Sequence, residues 1–100
     1  MYTRDMEKNV KSAKQMERHL KGMANHWRIE MIMLLNEKKA LTLEKIVESL
    51  NMNEKTASEH TRRLVQAGLV NKRYIGRTVE HTLSPYGKTF AGFLKTFQHS

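Results

Sequence analysis

The chain has 100 residues, no cysteine, 18 Lys/Arg against 10 Asp/Glu and a net charge of +8. That length is expected to give one domain, residues 1–100, and the missing cysteine excludes disulfides, thiolate metal sites and thiol redox chemistry. Such a basic balance points to an anionic partner, most often nucleic acid. The excess is uneven: the first fifty residues hold 10 Lys/Arg and 7 Asp/Glu, the last fifty 8 and 3.

In chain order, the opening "MYTRDMEKNVKSAK" is too charged for a signal peptide, and no apolar run approaches the roughly 20 residues of a membrane span. A soluble, cytoplasmic protein is expected. A first helix is predicted from about Arg4 to Leu20, with Met6, Val10, Ala13, Met16 and Leu20 spaced by three and four. A second begins after Asn25, a good N-cap. Its apolar residues Trp27, Ile29, Met31, Ile32, Leu34 and Leu35 occupy more than one face, which suits a central element. "NEKKA" (36–40) reads as a polar turn.

Thr42 is placed to cap a third helix, with Leu43, Ile46, Val47 and Leu50 inward. Asn51 tolerates the left-handed backbone of a tight helix–helix turn, and Met52 is its apolar plug. Asn53 then caps a fourth helix with Ala57, Leu64 and Val65 inside, and Thr61 where an aliphatic residue is more usual. Gly68 stops it. "LVNKRYIGRTVEHTL" (69–83) switches to period two around Gly76, as a hairpin does. Ser84 and Pro85 open a last helix, about 85–98, carrying Tyr86, Phe90, Phe93, Leu94 and Phe97. The predicted fold class is mainly α with a small β-hairpin: a winged helix-turn-helix of about five helices plus a two-stranded wing.

The fourth helix reads "NEKTASEHTRRLVQ" from its cap. Solvated helix faces usually hold Lys, Glu, Gln and Arg, because Ser, Thr and His are poorer helix formers. Their presence is explained if the face contacts a partner. The second helix of a helix-turn-helix enters the major groove, where such side chains reach base edges and phosphates. The expected contacts on duplex DNA are Lys55, Thr56, Ser58, Glu59, His60, Arg62 and Arg63, with Lys72, Arg73 and Arg77 from the wing. Arg77, beside the turn glycine, suits the minor groove. The aromatic stripe Tyr86, Phe90, Phe93, Phe97, with Met6 and Val10 of the first helix, is expected to form a homodimer interface.

From about Leu20 to Leu83 the chain resembles the winged helix-turn-helix of ArsR-type transcriptional regulators. That family has an alanine, a short cap, an arginine and a run ending in Leu-Leu; here the run is "MANHWRIEMIMLL" (23–35), with Arg28 at the arginine position. The family's recognition helix reads roughly Thr-Val-Ser-His-His-Leu before Ala-Gly-Leu-Val; here it is "TASEHT" (56–61) and "AGLV" (67–70). Thr56, Ser58 and His60 match, whereas Glu59 and Thr61 depart. The resemblance implies DNA binding as a homodimer through the terminal helices. The family's metal sensors carry Cys-x-Cys on the third helix, or histidines with Asp-x-His on the last. "ALTLEKI" (40–46) has no ligand and the last helix offers only His99, so neither metal nor cofactor is expected, and the effector is unknown. "LSPYGKTF" (83–90) also resembles the strand-to-helix junction of MarR-type regulators.

The expected function is a sequence-specific regulator of transcription, a homodimeric repressor lacking the cysteine metal site. The alternatives are a winged-helix module for protein–protein assembly and a nonspecific architectural DNA binder. Enzyme activity is not expected: no paired carboxylates, no nucleophile with a base and no Gly-rich phosphate loop stand out.

Overall fold

The computed structural model describes residues 10–100. Its elements are α1 (Ala13–Met23), α2 (His26–Lys38), β1 (Ala40–Thr42), α3 (Leu43–Leu50), α4 (Glu54–Gln66), β2 (Val70–Ile75), β3 (Thr78–Leu83) and α5 (Pro85–Gln98).

The first helix differs from the sequence expectation. It starts at Ala13 rather than near Arg4, and Val10–Ser12 are not helical. A reciprocal capping box sets the start: the Ser12 hydroxyl accepts from the Gln15 amide at 3.1 Å, and the Gln15 side chain accepts from the Ser12 amide at 2.9 Å. The expected residues Arg4 and Met6 lie outside the described residues. The helix also runs on to Met23, and its buried residues are His19 and Met23.

Asn25 caps α2, its side chain accepting from Trp27 and Arg28 amides at 2.9 and 3.3 Å. Met31, Ile32 and Leu35 of α2 are buried, while Trp27, Ile29, Met33 and Leu34 pack around the core. Apolar residues on several faces therefore do make α2 the central element, packed against every other helix. "NEKKA" is not a free turn. The helix continues to Lys38, Lys39 takes φ 74°, and Ala40 begins a strand. That strand is the second difference. The wing is part of a three-stranded antiparallel sheet in the order β1-β3-β2, with Leu41 opposite His81. Three residues with no clear alternation give no periodic signal of their own.

The helix-turn-helix follows the expected punctuation. Thr42 accepts from the Lys45 amide, Asn51 is left-handed at φ 53°, Met52 is buried, and Asn53 accepts from the Thr56 amide at 3.2 Å. Thr61 lies inside α4 without orphaning its hydroxyl, which donates to the Ala57 carbonyl at 2.6 Å. Gly68 ends the segment at φ 78°. In the hairpin Val70, Lys72 and Tyr74 pair with Leu83, His81 and Val79. Only Val70 of β2 is buried, because the strand runs outward past the core.

Ser84 fixes the start of α5 twice: its hydroxyl donates to the Gly68 carbonyl at 2.6 Å and accepts from the Gly87 amide at 3.0 Å. A Cβ at Gly87 would meet the Leu69 carbonyl oxygen, so the helix is seated against backbone there. Gly87, Ala91 and Leu94 form its buried face. Leu94 thus belongs to the core rather than to the aromatic stripe, which points the other way: Tyr86, Phe93 and Phe97 are exposed, Phe97 by 65%.

Candidate nucleic-acid interface

Helix α4 is held at both ends, by the Asn53 cap and by Gly68 leading into β2. Ala57, Thr61 and Leu64 pin one side to the core. Helical geometry then fixes what faces away. Lys55, Glu59, Arg62 and Gln66 project outermost, Thr56, His60 and Arg63 follow one flank at spacings of four and three, and Ser58 lies on the other flank. Lys55, Ser58, Arg62 and Arg63 are exposed; Thr56, Glu59 and His60 are half-buried.

Glu59 organises the outer face. Its carboxylate binds Arg62 and sits 3.2 Å from Nε of Arg63. The hydrogen bond from Arg62 and the two positive charges hold its carboxyl below the usual range. Two arginines are thereby preset over one carboxylate, leaving a net positive patch with an acceptor at its centre.

His60 departs from a simple contact residue. Arg28 donates from Nη1 to its Nδ1 at 2.9 Å, and the Nε of Arg28 donates to the Gly22 carbonyl at 2.6 Å. Desolvation first, then the Arg28 and Arg63 charges, lower the His60 pKa. The arginine of the resemblance therefore ties α1, α2 and α4 together. The sequence reading set Arg28 and His60 in two separate motifs, and nothing in their spacing joins residues 32 positions apart.

The wing residues separate. Lys72 is exposed beside His81, whose ring is buried and donates from Nδ1 to the Leu41 carbonyl at 3.2 Å. Burial lowers the His81 pKa, and the Lys72 charge adds to it, against the Leu41 bond. Arg73 faces the other side, paired across the strands with Glu80 at 2.9 Å. Arg77 is exposed next to Gly76. Tyr74 and Ile75, exposed by 70% and 51%, add an apolar tip that the sequence reading did not single out. The available signal was the hairpin's distance from Val70, since alternation alone does not say where a strand leaves the core.

A second face lies between α1 and α5. Met16, Leu20, Tyr86 and half-buried Phe90 line a groove of about 430 Å³. Val10 is exposed, and Phe93 stacks on Phe97 at 5.5 Å. The Lys11 ammonium sits 3.9 Å over the Tyr86 ring and lowers that phenol's pKa. At the groove's base His19 donates from Nδ1 to the Ala67 carbonyl at 2.6 Å, joining α1 to the end of α4. Among the described residues no group of three His, Cys, Asp or Glu side chains could hold a metal ion, and no helix is long and apolar enough to cross a membrane.

The family sequence model described as "Bacterial regulatory protein, arsR family" matches residues 26–72. A comparison with curated protein sequences finds no match. Among solved structures, HlyU from Vibrio cholerae N16961 is 29% identical at a TM-score of 0.79, over 95% of this chain and 100% of that one. The homodimeric winged helix-turn-helix DNA-binding domain Mb0332 from Mycobacterium bovis is 22% identical at a TM-score of 0.77, covering 91% and 90% of the two chains. The transcriptional repressor PagR of Bacillus anthracis is 21% identical at 0.76, covering 81% and 93%. The last two likenesses speak for the fold alone. The matched residues run from the first turn of α2, through α3 and α4, into β2. They are similar to the corresponding segment of arsR-family regulatory proteins, and the fold around them is an ArsR-type winged helix-turn-helix. The MarR-like stretch at 83–90 falls outside the match.

Proposed function

We propose, with the ArsR-type segment at 26–72 as premise, that this chain is a homodimeric, sequence-specific repressor of transcription acting in the cytoplasm without a cysteine metal site. Helix α4 enters the major groove. Arg62 and Arg63 grip guanine or phosphate, Glu59 accepts from cytosine, and Lys55, Thr56, Ser58 and His60 complete the contact set. Lys72, Arg73 and Arg77 follow the wing onto the flanking backbone, Arg77 toward the minor groove. One observation carries this reading: Glu59 sits between two arginines on an otherwise cationic outer face. A surface built for charge alone gains nothing from a carboxylate there, whereas a surface that discriminates bases does. The exposed apolar groove and aromatic stripe support pairing through α1 and α5, with Val10, Tyr86, Phe90, Phe93 and Phe97 in the interface. Mb0332, of the same fold, is homodimeric, and PagR is a repressor.

The test is selection of bound sequences from a random duplex pool at near-physiological salt. The expected result is an enriched inverted repeat with half-sites about one helical turn, roughly 34–36 Å, apart. Binding without enrichment supports an architectural protein instead. A folded chain that binds no duplex supports an assembly module.

A further inference from the structure

We infer that Arg28 is a positioning residue for DNA recognition: by donating to Nδ1 of His60 it fixes the imidazole as the Nε2–H tautomer, and so makes His60 a hydrogen-bond donor toward a DNA oxygen. This rests on the DNA-binding reading above and adds to it a residue that touches no base.

The geometry is specific. A guanidinium has donors and no acceptor. Its 2.9 Å contact with Nδ1 therefore requires that nitrogen to be the acceptor, which leaves the single ring proton on Nε2. Among the described residues Nε2 has no partner, yet no side-chain nitrogen or oxygen there is buried without one. Nε2–H therefore opens to solvent, on the flank of α4 shared with Thr56 and Arg63. Arg28 is itself held. Its amide is capped by Asn25, and its Nε donates to Gly22, one of the last carbonyls of α1, which lack a partner within their own helix. The planar fork cannot turn without losing one of its two bonds.

The surroundings favour an oxygen that only accepts. From α2, Arg28 and His26 face the ring; from α4, Arg63 and Glu59 do. Arg18 and Lys21 of α1 line the adjoining recess with Arg28, Arg63 and Gln66. A phosphate oxygen meets one carboxylate and several cations there. Proton uptake at Nδ1 would remove the acceptor and set imidazolium against guanidinium, so acid opens the Arg28–His60 bond.

Two measurements on the full chain test this. Nitrogen-15 NMR of the imidazole rings at neutral pH should show His60 protonated at Nε2 and bare at Nδ1, with Arg28→Met giving a mixture. A His60 ring protonated at Nδ1 in the parent overturns the inference. The second measurement titrates a labelled random-sequence duplex into the parent and two variants whose folding is checked by thermal unfolding. His60→Gln keeps an outward N–H near the Nε2 position, while His60→Asn keeps an acceptor for Arg28 but withdraws the donor. His60→Asn should bind about tenfold more weakly, as loss of one hydrogen bond to a charged oxygen predicts, and His60→Gln within about threefold of the parent. Equal loss in both variants, or in neither, overturns the outward contact while the parent still binds. A parent that binds no duplex fails the DNA-binding reading itself, and the ring spectrum then decides the tautomer alone.

Discussion

At the scale of single residues, the proposed contact set places one carboxylate between two arginines, an arrangement proposed to discriminate among bases rather than merely to attract. Removing the Glu59 charge tests that. Glu59→Gln should release Arg62 and Arg63, raise affinity for random duplex, steepen the salt dependence and narrow the preference for the selected site. Parallel titrations of both duplexes over a range of salt read all three. Affinity unchanged on both would remove Glu59 from the interface. The two histidines with lowered pKa set a second expectation. His60 and His81 both favour the neutral ring in the folded chain, chiefly through burial. An unfolded histidine titrates near 6.5, so the unfolded chain binds protons first as pH falls. Their stabilising contribution is full above about pH 6.5 and is lost as pH drops through the lower folded-state values. The melting temperature should therefore be lower at about pH 5.5 than at about pH 7.5, and His81→Asn should flatten that slope. A parent with no slope contradicts the burial argument. Residue types were the legible part at this scale, and partners were not. The Arg28–His60 bond joins two motifs that the chain keeps far apart, and only the packing of α1, α2 and α4 brings them together.

At the scale of elements, punctuation decides more than propensity. Asn25, Thr42, Asn53 and Ser84 each accept from the amides they were expected to cap, because capping is local chemistry that a few neighbouring residues suffice to specify. The first helix was misplaced for the opposite reason. Spacing by three and four continues through Val10, but Ser12 and Gln15 close a capping box that starts the helix later. β1 was missed because three residues earn their strand only from β3 arriving beside them. Seating of α5 is the element-level test. Gly87→Ala improves intrinsic helix propensity by at most about 1 kcal/mol. It also drives a methyl group into the Leu69 carbonyl oxygen, which already accepts from the Ser84 amide. Overpacking against backbone costs about 1–3 kcal/mol or more, so the steric effect should win. Thermal unfolding should fall by roughly 4–8 °C for each kcal/mol lost. An unchanged or higher melting temperature would mean that α5 can lift off its seat freely.

At the scale of the whole molecule, two faces remain: α4 with the wing, and the groove with the aromatic stripe. The pairing proposed for the second face predicts that Phe97→Glu, at a side chain already 65% exposed, leaves folding intact. It should shift sedimentation from dimer to monomer and weaken binding to a two-half-site duplex far more than to a single half-site. A chain that sediments as a monomer before substitution would end the proposal. The order of the sheet carries a different consequence, one of time. β3 lies between β1 and β2, yet it is the last of the three strands in the chain. Neither outer strand has a neighbour until β3 begins at Thr78, and closing the long loop from β1 to β3 is a slow, non-local step. During synthesis the sequence of α4 is therefore complete before that of the sheet beside it. A nascent chain halted before Thr78 would carry every proposed contact residue of α4 on a scaffold still unable to close.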